Sequence, residues 1–404
     1  MLQLLFLISR FAAIITSQEI KTSNHTELSI VAPDNSIVAN FLAFGATTKN
    51  VWVKDKFGTW RDIVLGFDNI SEYTNQTFGR QFFGPVVGRY ANRIKNATFS
   101  IPISADPPAN GPNVFHVPAN EHNGLNSLHG GFDGYDLRLW NVTAKSKHSV
   151  TFSLLDPNGT QGFPGTQMTH VTYSLETGSK WRISMHATVD HESPILLRYI
   201  TISSRPTDIL PAVYLPSSHT YWNLDAYHGA SNLDNHFAQF KASRYIQTDG
   251  ILVPNGTIGN TRGTPLDFKT AKSIGAAINE TVGLDLCGTG CTGFDNCWLY
   301  DDPQDERPNF SIWSTISGIR LDVTTNQIGL QIYTCDSINN GTLQIPRKRD
   351  HGGPGTFYDN HSCLVIEQES AIAAINYPSF GINQIFGPNR TYEWNSEYVF
   401  SVVH

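Results

Sequence analysis

The sequence predicts an all-β protein built on large antiparallel sheets, and three observations carry that expectation. Apolar and polar residues alternate with period two in run after run, helical periodicity is nearly absent, and Gly, Pro and Asn punctuate the runs. In the clearest run Trp181, Ile183, Met185, Ala187 and Val189 are apolar while Arg182, Ser184, His186 and Thr188 are polar, the pattern of a strand with one wet face. Comparable strands are predicted over 97–103, 150–155, 168–175, 195–203, 319–323, 328–333, 363–367 and 398–403. Only 270–280 reads as a helix, and it is short. With neither a low-complexity linker nor an internal repeat, residues 18–404 are expected to form a single β domain. Whether that domain is a sandwich or a barrel is not decided by the pattern.

The chain of 404 residues carries a net charge of −7 and a pI near 6.0. It therefore lacks the basic footprint of a nucleic-acid binder. The dense basic run Arg347-Lys348-Arg349 lies between Pro346 and a Gly-rich stretch, where a solvated loop is expected.

At the N-terminus an apolar run within 1–17 gives way to small polar residues, which is too short to span a bilayer and suits a secretory signal. Arg10 interrupts it, so a signal anchor is the alternative; after cleavage no membrane partner is expected. Asn-X-Ser/Thr sequons at Asn24, Asn69, Asn75, Asn96, Asn141, Asn158, Asn255, Asn279, Asn309, Asn340, Asn360 and Asn389 favour a secreted glycoprotein. The five cysteines, Cys287, Cys291, Cys297, Cys335 and Cys363, lack zinc-like spacing. One or two local disulfides near 287–297 are expected, with at least one thiol left over.

Several catalytic signatures are missing. There is no G-x-S-x-G and no Walker A, and His191-Glu192 lacks the second histidine of a zinc protease because Ile195 stands there. Gly288 to Gly293 does match G-x-G-x-x-G, but a dinucleotide site needs a helix to follow, and 294–300 reads as a strand. No metal or cofactor is expected.

Four stretches, taken in order, are informative. The first is Val64-Leu65-Gly66-Phe67-Asp68 with Gly84-Pro85-Val86-Val87-Gly88-Arg89-Tyr90-Ala91-Asn92-Arg93-Ile94 and Asn126-Ser127-Leu128-His129-Gly130-Gly131. The second is Gly162-Phe163-Pro164-Gly165 and the third Ser218-His219-Thr220-Tyr221-Trp222-Asn223-Leu224. The fourth joins Gly293-Phe294-Asp295, Gly329-Leu330-Gln331-Ile332-Tyr333-Thr334 and Leu364-Val365-Ile366-Glu367-Gln368. Over nearly the whole chain beyond the leader this ordered set resembles the aldose 1-epimerase (galactose mutarotase) family. The resemblance implies a large antiparallel β-supersandwich that opens and recloses a pyranose, with a small-molecule sugar as its partner. It also implies that Glu367 takes the proton of the anomeric hydroxyl and His219 protonates the ring oxygen, while Asn92, Arg93, His129, Asp295 and Gln331 hold the sugar.

Chemistry points the same way without the family. Opening a hemiacetal needs a base at the C1 hydroxyl and an acid at the ring oxygen, and a carboxylate with a histidine supplies that pair near neutral pH. Glu367 ends an apolar strand, where burial would raise its pKa. Tyr221 and Trp222 flank His219 and offer faces for the apolar side of a hexose, or are plain core. Arg93 beside Asn92 offers a fork of donors, and the glycines after His129 let backbone approach closely.

One departure stands out. Two places after the glutamate the family usually carries Gln and then Pro-Asp-Ala; here these are Glu369 and Ile372-Ala373-Ala374. If the strand continues, Glu369 shares a face with Glu367, and one of the two carboxyls is pushed up in pKa. Rival readings are a glycoside hydrolase or lyase on a related β-sandwich and a sugar-binding module without turnover. A hydrolase needs carboxyls about 5–9.5 Å apart across the scissile bond, and adjacent same-face positions do not straddle one.

Overall fold

The structure, a computed structural model, describes residues 22–101, 114–190, 212–213, 217–229, 232–303, 308–339 and 341–404. The leader, the strand expected at 195–203, the His191-Glu192 pair and the Asn340 sequon lie outside the described residues.

Long alternating segments pair into a nine-stranded antiparallel sheet. Its first four strands, Asn141–Lys145, Ser149–Asp156, Thr166–Glu176 and Lys180–Asp190, form a meander. The C-terminal strand Tyr392–Val402 then lies between Lys180–Asp190 and Ile319–Thr325, tying the early and late parts of the chain together. A six-stranded sheet runs Tyr221–Trp222, Leu364–Glu369, Gly329–Tyr333, Asp295–Leu299, Arg244–Thr248, Pro254–Asn260. The strand expected at 363–367 thus extends to Glu369. A further four-stranded meander, Glu27–Val31 to Trp60–Asp62, packs on the same core, with Phe41 stacked on Tyr173 at 4.4 Å between ring centroids.

Packing answers the question the pattern left open. One face of the six-stranded sheet (Trp222, Trp298, Leu330, Ile332, Leu364, Ile366) is buried against Trp181, Ile183, Met185, Tyr398 and Phe400 of the nine-stranded sheet. Trp222 lies 6.0 Å from both Trp181 and Tyr398. This is face-to-face packing of two sheets, a sandwich.

Helix is scarce, as expected: Ile274–Asn279 falls within 270–280, its N-terminus capped by Ser273, whose Oγ accepts from the Ala276 N–H at 3.2 Å. The five-residue helix Ile70–Thr74 is too short to leave a periodic signal. After Gly288–Gly293 comes the strand Asp295–Leu299, so the phosphate-binding helix is indeed missing there. Cys287–Cys291 is the local disulfide expected, and Cys297 is the leftover thiol, buried. A second disulfide, Cys335–Cys363, clamps the ends of the neighbouring strands Gly329–Tyr333 and Leu364–Glu369. Ten of the sequon asparagines are exposed, whereas Asn309 is buried and its Oδ1 accepts from the Thr325 N–H at 2.9 Å.

The basic run corrects an expectation. Arg349 is 78% exposed, but Lys348 between the two arginines is only 1% exposed. Its ammonium donates to Asp62 Oδ2 at 2.9 Å and to the carbonyls of Lys49 and Val64 at 2.6 and 2.8 Å. Asp62 also accepts from Asn50 Nδ2 at 2.6 Å. All three ammonium donors are used, which is the condition for burying the charge at all. Lys348→Ala would strand the Asp62 carboxylate, so denaturant unfolding should show a loss of about 3–5 kcal/mol. Arg349→Ala should stay within about 0.5 kcal/mol of the parent; equal losses would refute the buried role of Lys348.

Candidate active site

The other face of the six-stranded sheet carries a polar set, and pairing register aligns it. Gln331 pairs with both Cys297 and Glu367, Tyr333 pairs with Asp295 and Val365, and Val365 pairs with Tyr221. Directly opposed residues share a face, so Tyr221, Glu367, Glu369, Gln331, Tyr333 and Asp295 point one way. Trp222, opposite Leu364, points into the core.

Loops roof this face to form a cavity of about 270 Å³. Asn92, Arg93, His129, His219, Tyr221, Asp295 and Glu367 line it, together with Arg80, Phe82, Tyr333 and Asp336. Gln331 stands behind the wall and donates from Nε2 to Asp295 Oδ1 at 2.5 Å. Trp222 is no part of the wall, which corrects the alternative that it faces a ligand.

The two imidazoles are set differently. His219 Nδ1 lies 3.2 Å from the Phe82 carbonyl, which can only accept, so the proton of the neutral ring sits on Nδ1. Its Nε2 then faces Glu367 Oε1 at 3.4 Å. Burial pushes the His219 imidazole down to about 4, below the near-neutral value expected from residue type alone. An ionised carboxylate at that distance would favour the imidazolium. His129 is the reverse: its Nδ1 accepts from the Asn92 backbone N–H at 3.1 Å, leaving the ring proton on Nε2. Burial, then the neighbouring His219, Arg93 and Arg80, hold His129 neutral. The two rings meet edge to face at 5.2 Å.

Backbone conformation makes that arrangement possible. Asn92 and His129 both sit in the left-handed region, φ 55° and 49°, a state asparagine tolerates better than most residues. The His129 N–H returns to the Asn92 carbonyl at 3.2 Å. At Gly130 a Cβ would collide with the Gly88 carbonyl oxygen, so the expected close approach is real.

Arg93 is gripped by Glu121, whose oxygens accept at 2.8 to 3.1 Å, and its Nη1 lies 3.7 Å from Asp295 Oδ2. Burial raises the pKa of Asp295 while Arg93 and Gln331 oppose the rise. Asp336 is pushed up to about 8 by burial and by Asp295. Sequence reasoning missed Glu121, Asp336, Arg80 and Phe82. Arg80 lies over the Phe82 ring at 4.8 Å, and that ring touches both His129 and His219. Tyr333 lay within a quoted motif, and its period-two relation to Gln331 would have placed it on the same face.

Fold and cavity together define an all-β protein with a charged, hydrogen-bonding pocket suited to a small polyhydroxylated molecule. Comparison with known proteins narrows this. The family model described as aldose 1-epimerase matches residues 28–199 and 197–399. An Arthroderma benhamiae protein named as a probable aldose 1-epimerase is 35% identical over 94% of this chain and 87% of its own length. The galactose mutarotase of Bos taurus is 30% identical over 90% of this chain and 91% of its own. A solved aldose epimerase homologue from C. elegans is 27% identical and superposes with a TM-score of 0.76, covering 94% of this chain and 99% of that one. This chain belongs to the aldose 1-epimerase family.

The two neighbouring aromatics separate experimentally. Trp222→Ala empties core volume and should cost about 3–5 kcal/mol of stability while leaving sugar affinity of the folded protein unchanged. Tyr221→Ala should weaken sugar binding. Denaturant melts and titration of intrinsic fluorescence with sugar check both, and a loss of affinity confined to the Trp222 variant would reverse the assignment.

Proposed function

We propose that this chain is an aldose 1-epimerase that interconverts the α and β anomers of free aldohexoses such as galactose and glucose through the carboxylate–imidazole pair Glu367 and His219. The observation that carries this reading is the 3.4 Å approach of Glu367 Oε1 to His219 Nε2 at a cavity also lined by Arg93, Asn92, His129 and Asp295. Glu367 accepts the proton of the C1 hydroxyl while His219, as imidazolium, gives one to the ring oxygen. The bond from C1 to the ring oxygen breaks, its electron pair goes to the ring oxygen, and C1 becomes the aldehyde carbon. Rotation about C1–C2 presents the other face; on closure His219 takes the proton back from the attacking hydroxyl while Glu367 returns its proton to the C1 oxygen.

The remaining wall residues orient the sugar. Arg93 is an anchored cation with Nη1 3.7 Å from Asp295 Oδ2, Asp295 is an acceptor backed by Gln331, and His129 supplies a neutral Nε2–H donor. Tyr221 offers a ring beside the His219 imidazole, 5.2 Å between centroids. A hydrolase reading gains no support, because Glu369 is not at the cavity wall and points from the same strand face as Glu367.

Glu367→Gln and His219→Asn test the pair. Each should remain folded and lose about 10²–10⁴-fold in turnover, the scale of a general acid or base. The parent's polarimetric rate should fall on both sides of a bell, because the reaction needs one group as base and one as acid at the same time. Near-parental turnover in Glu367→Gln would move the base elsewhere.

The leader, ten exposed sequons and two disulfides support a secreted, glycosylated protein beginning near residue 18. N-glycosidase should collapse a diffuse gel band to one sharp species, with peptide mapping showing Asn309 unmodified. An intact mass with Met1 retained and no glycan would contradict it.

A further inference from the structure

We propose that Glu369 is a neutral carboxylic acid and a positioning residue, holding Asn92 and through it His129, so that Glu367 is the one charged carboxyl on this strand. The proposal rests on the epimerase reading of the same cavity.

Geometry supplies the argument. Glu369 is 1% exposed, two residues from Glu367 on the same strand face, and it does not line the cavity. One oxygen, Oε1, accepts from Asn92 Nδ2 at 2.8 Å. The other, Oε2, is buried without a hydrogen-bond partner among the described residues. Across the sheet the paired position is Gly329, which brings no side chain to help.

The titratable groups that influence Glu369 are Glu367 on its own strand, Asp295 and the Cys297 thiol across the sheet, and the phenols of Tyr90 and Tyr392. None of them is a cation. Of the two arginines at the cavity, Arg93 attends Asp295, Glu121 and Glu367 instead, and Arg80 is paired with Asp136. A buried carboxylate with one amide donor, no cation and a like charge beside it is the worse placed of the two to ionise, since Arg93 and His219 lie toward Glu367 instead. Burial first, and Glu367 second, accordingly hold the Glu369 carboxyl well above the usual range.

The consequence reaches the site through Asn92. Its side-chain amide is tied to Glu369, while its backbone N–H fixes Nδ1 of His129 and so the His129 tautomer. Ionising Glu369 would set a second negative charge beside Glu367 and alter its basicity.

The test is Glu369→Gln, which keeps an acceptor oxygen for Asn92 but cannot ionise. An acid whose folded value is raised keeps a proton that the unfolded chain releases near 4.5, so the parent loses stability as pH climbs from there toward the folded value. The Tm of the variant minus that of the parent should therefore widen steadily above pH 4.5. The variant's turnover should stay within about threefold of the parent at neutral pH and extend further into the alkaline range, since the interaction with Asn92 is kept. Glu369→Ala, which leaves the Asn92 amide unpaired, should raise KM about tenfold with a smaller change in kcat.

A Tm difference that does not change with pH would overturn the proposal, because Glu369 would then ionise like an ordinary glutamate. A widening Tm difference with an unaltered alkaline limb and unaltered KM in Glu369→Ala would overturn the positioning role. If the parent fails to accelerate mutarotation while the Tm difference still widens, the epimerase reading fails and the neutral Glu369 stands.

Discussion

The pairing register between Gly329–Tyr333 and Leu364–Glu369 governs everything built on this molecule. With Gln331 opposite Glu367, Gln331, Tyr333, Glu367 and Glu369 fall on one face and Leu330, Ile332, Leu364 and Ile366, with Gln368, on the other. A slip of one residue would send the carboxylates into the sandwich core and the aliphatic residues into the cavity. Several independent devices hold the register. Cys335–Cys363 clamps the strand ends, Trp222 keys the edge strand into the core, and the buried Gln368 is held on the core face by two donors. The Tyr300 hydroxyl donates to Gln368 Oε1 at 2.8 Å and the Trp394 indole to its backbone carbonyl at 2.5 Å.

Once the register is set, the site must solve an electrostatic problem, because Glu367, His219, His129 and Arg93 are all buried and ionised groups are costly away from water. The molecule answers by limiting how many of them carry charge. Arg93 keeps its charge between Glu121 and Asp295, burial holds His129 neutral with the Asn92 backbone N–H on its Nδ1, and burial likewise lowers the pKa of His219. The left-handed turns at Asn92 and His129 are the local strain that makes the lock geometrically available.

Much of this was legible in the chain. Alternation located the strands at 150–155, 168–175, 181–189 and 319–323 because each keeps one wet face and one buried face, so the local pattern is the tertiary environment written out. The ordered motifs placed Asn92, Arg93, His129, His219, Tyr221, Asp295 and Glu367 around one cavity. Lys348 was not legible: a lysine between two arginines looks solvated, and its partner Asp62 is 286 positions away. Glu121 was hidden for the same reason, since nothing near it in the chain announces Arg93. His219 was identified by type, but its depressed pKa belongs to burial, which the hydrogen bond to the Phe82 carbonyl, 137 residues distant, only partly opposes.

Residue order alone therefore determined the fold class, the family and the chemical character of the pocket, because period-two alternation and motif content are short-range properties of the chain. Only the tertiary structure decided which of two adjacent aromatics meets the cavity, which ring nitrogen carries each proton, and which of two neighbouring glutamates is placed to ionise. Those outcomes depend on partners brought together from distant strands and on how completely each group is removed from water, and neither quantity exists until the sheets have closed on one another.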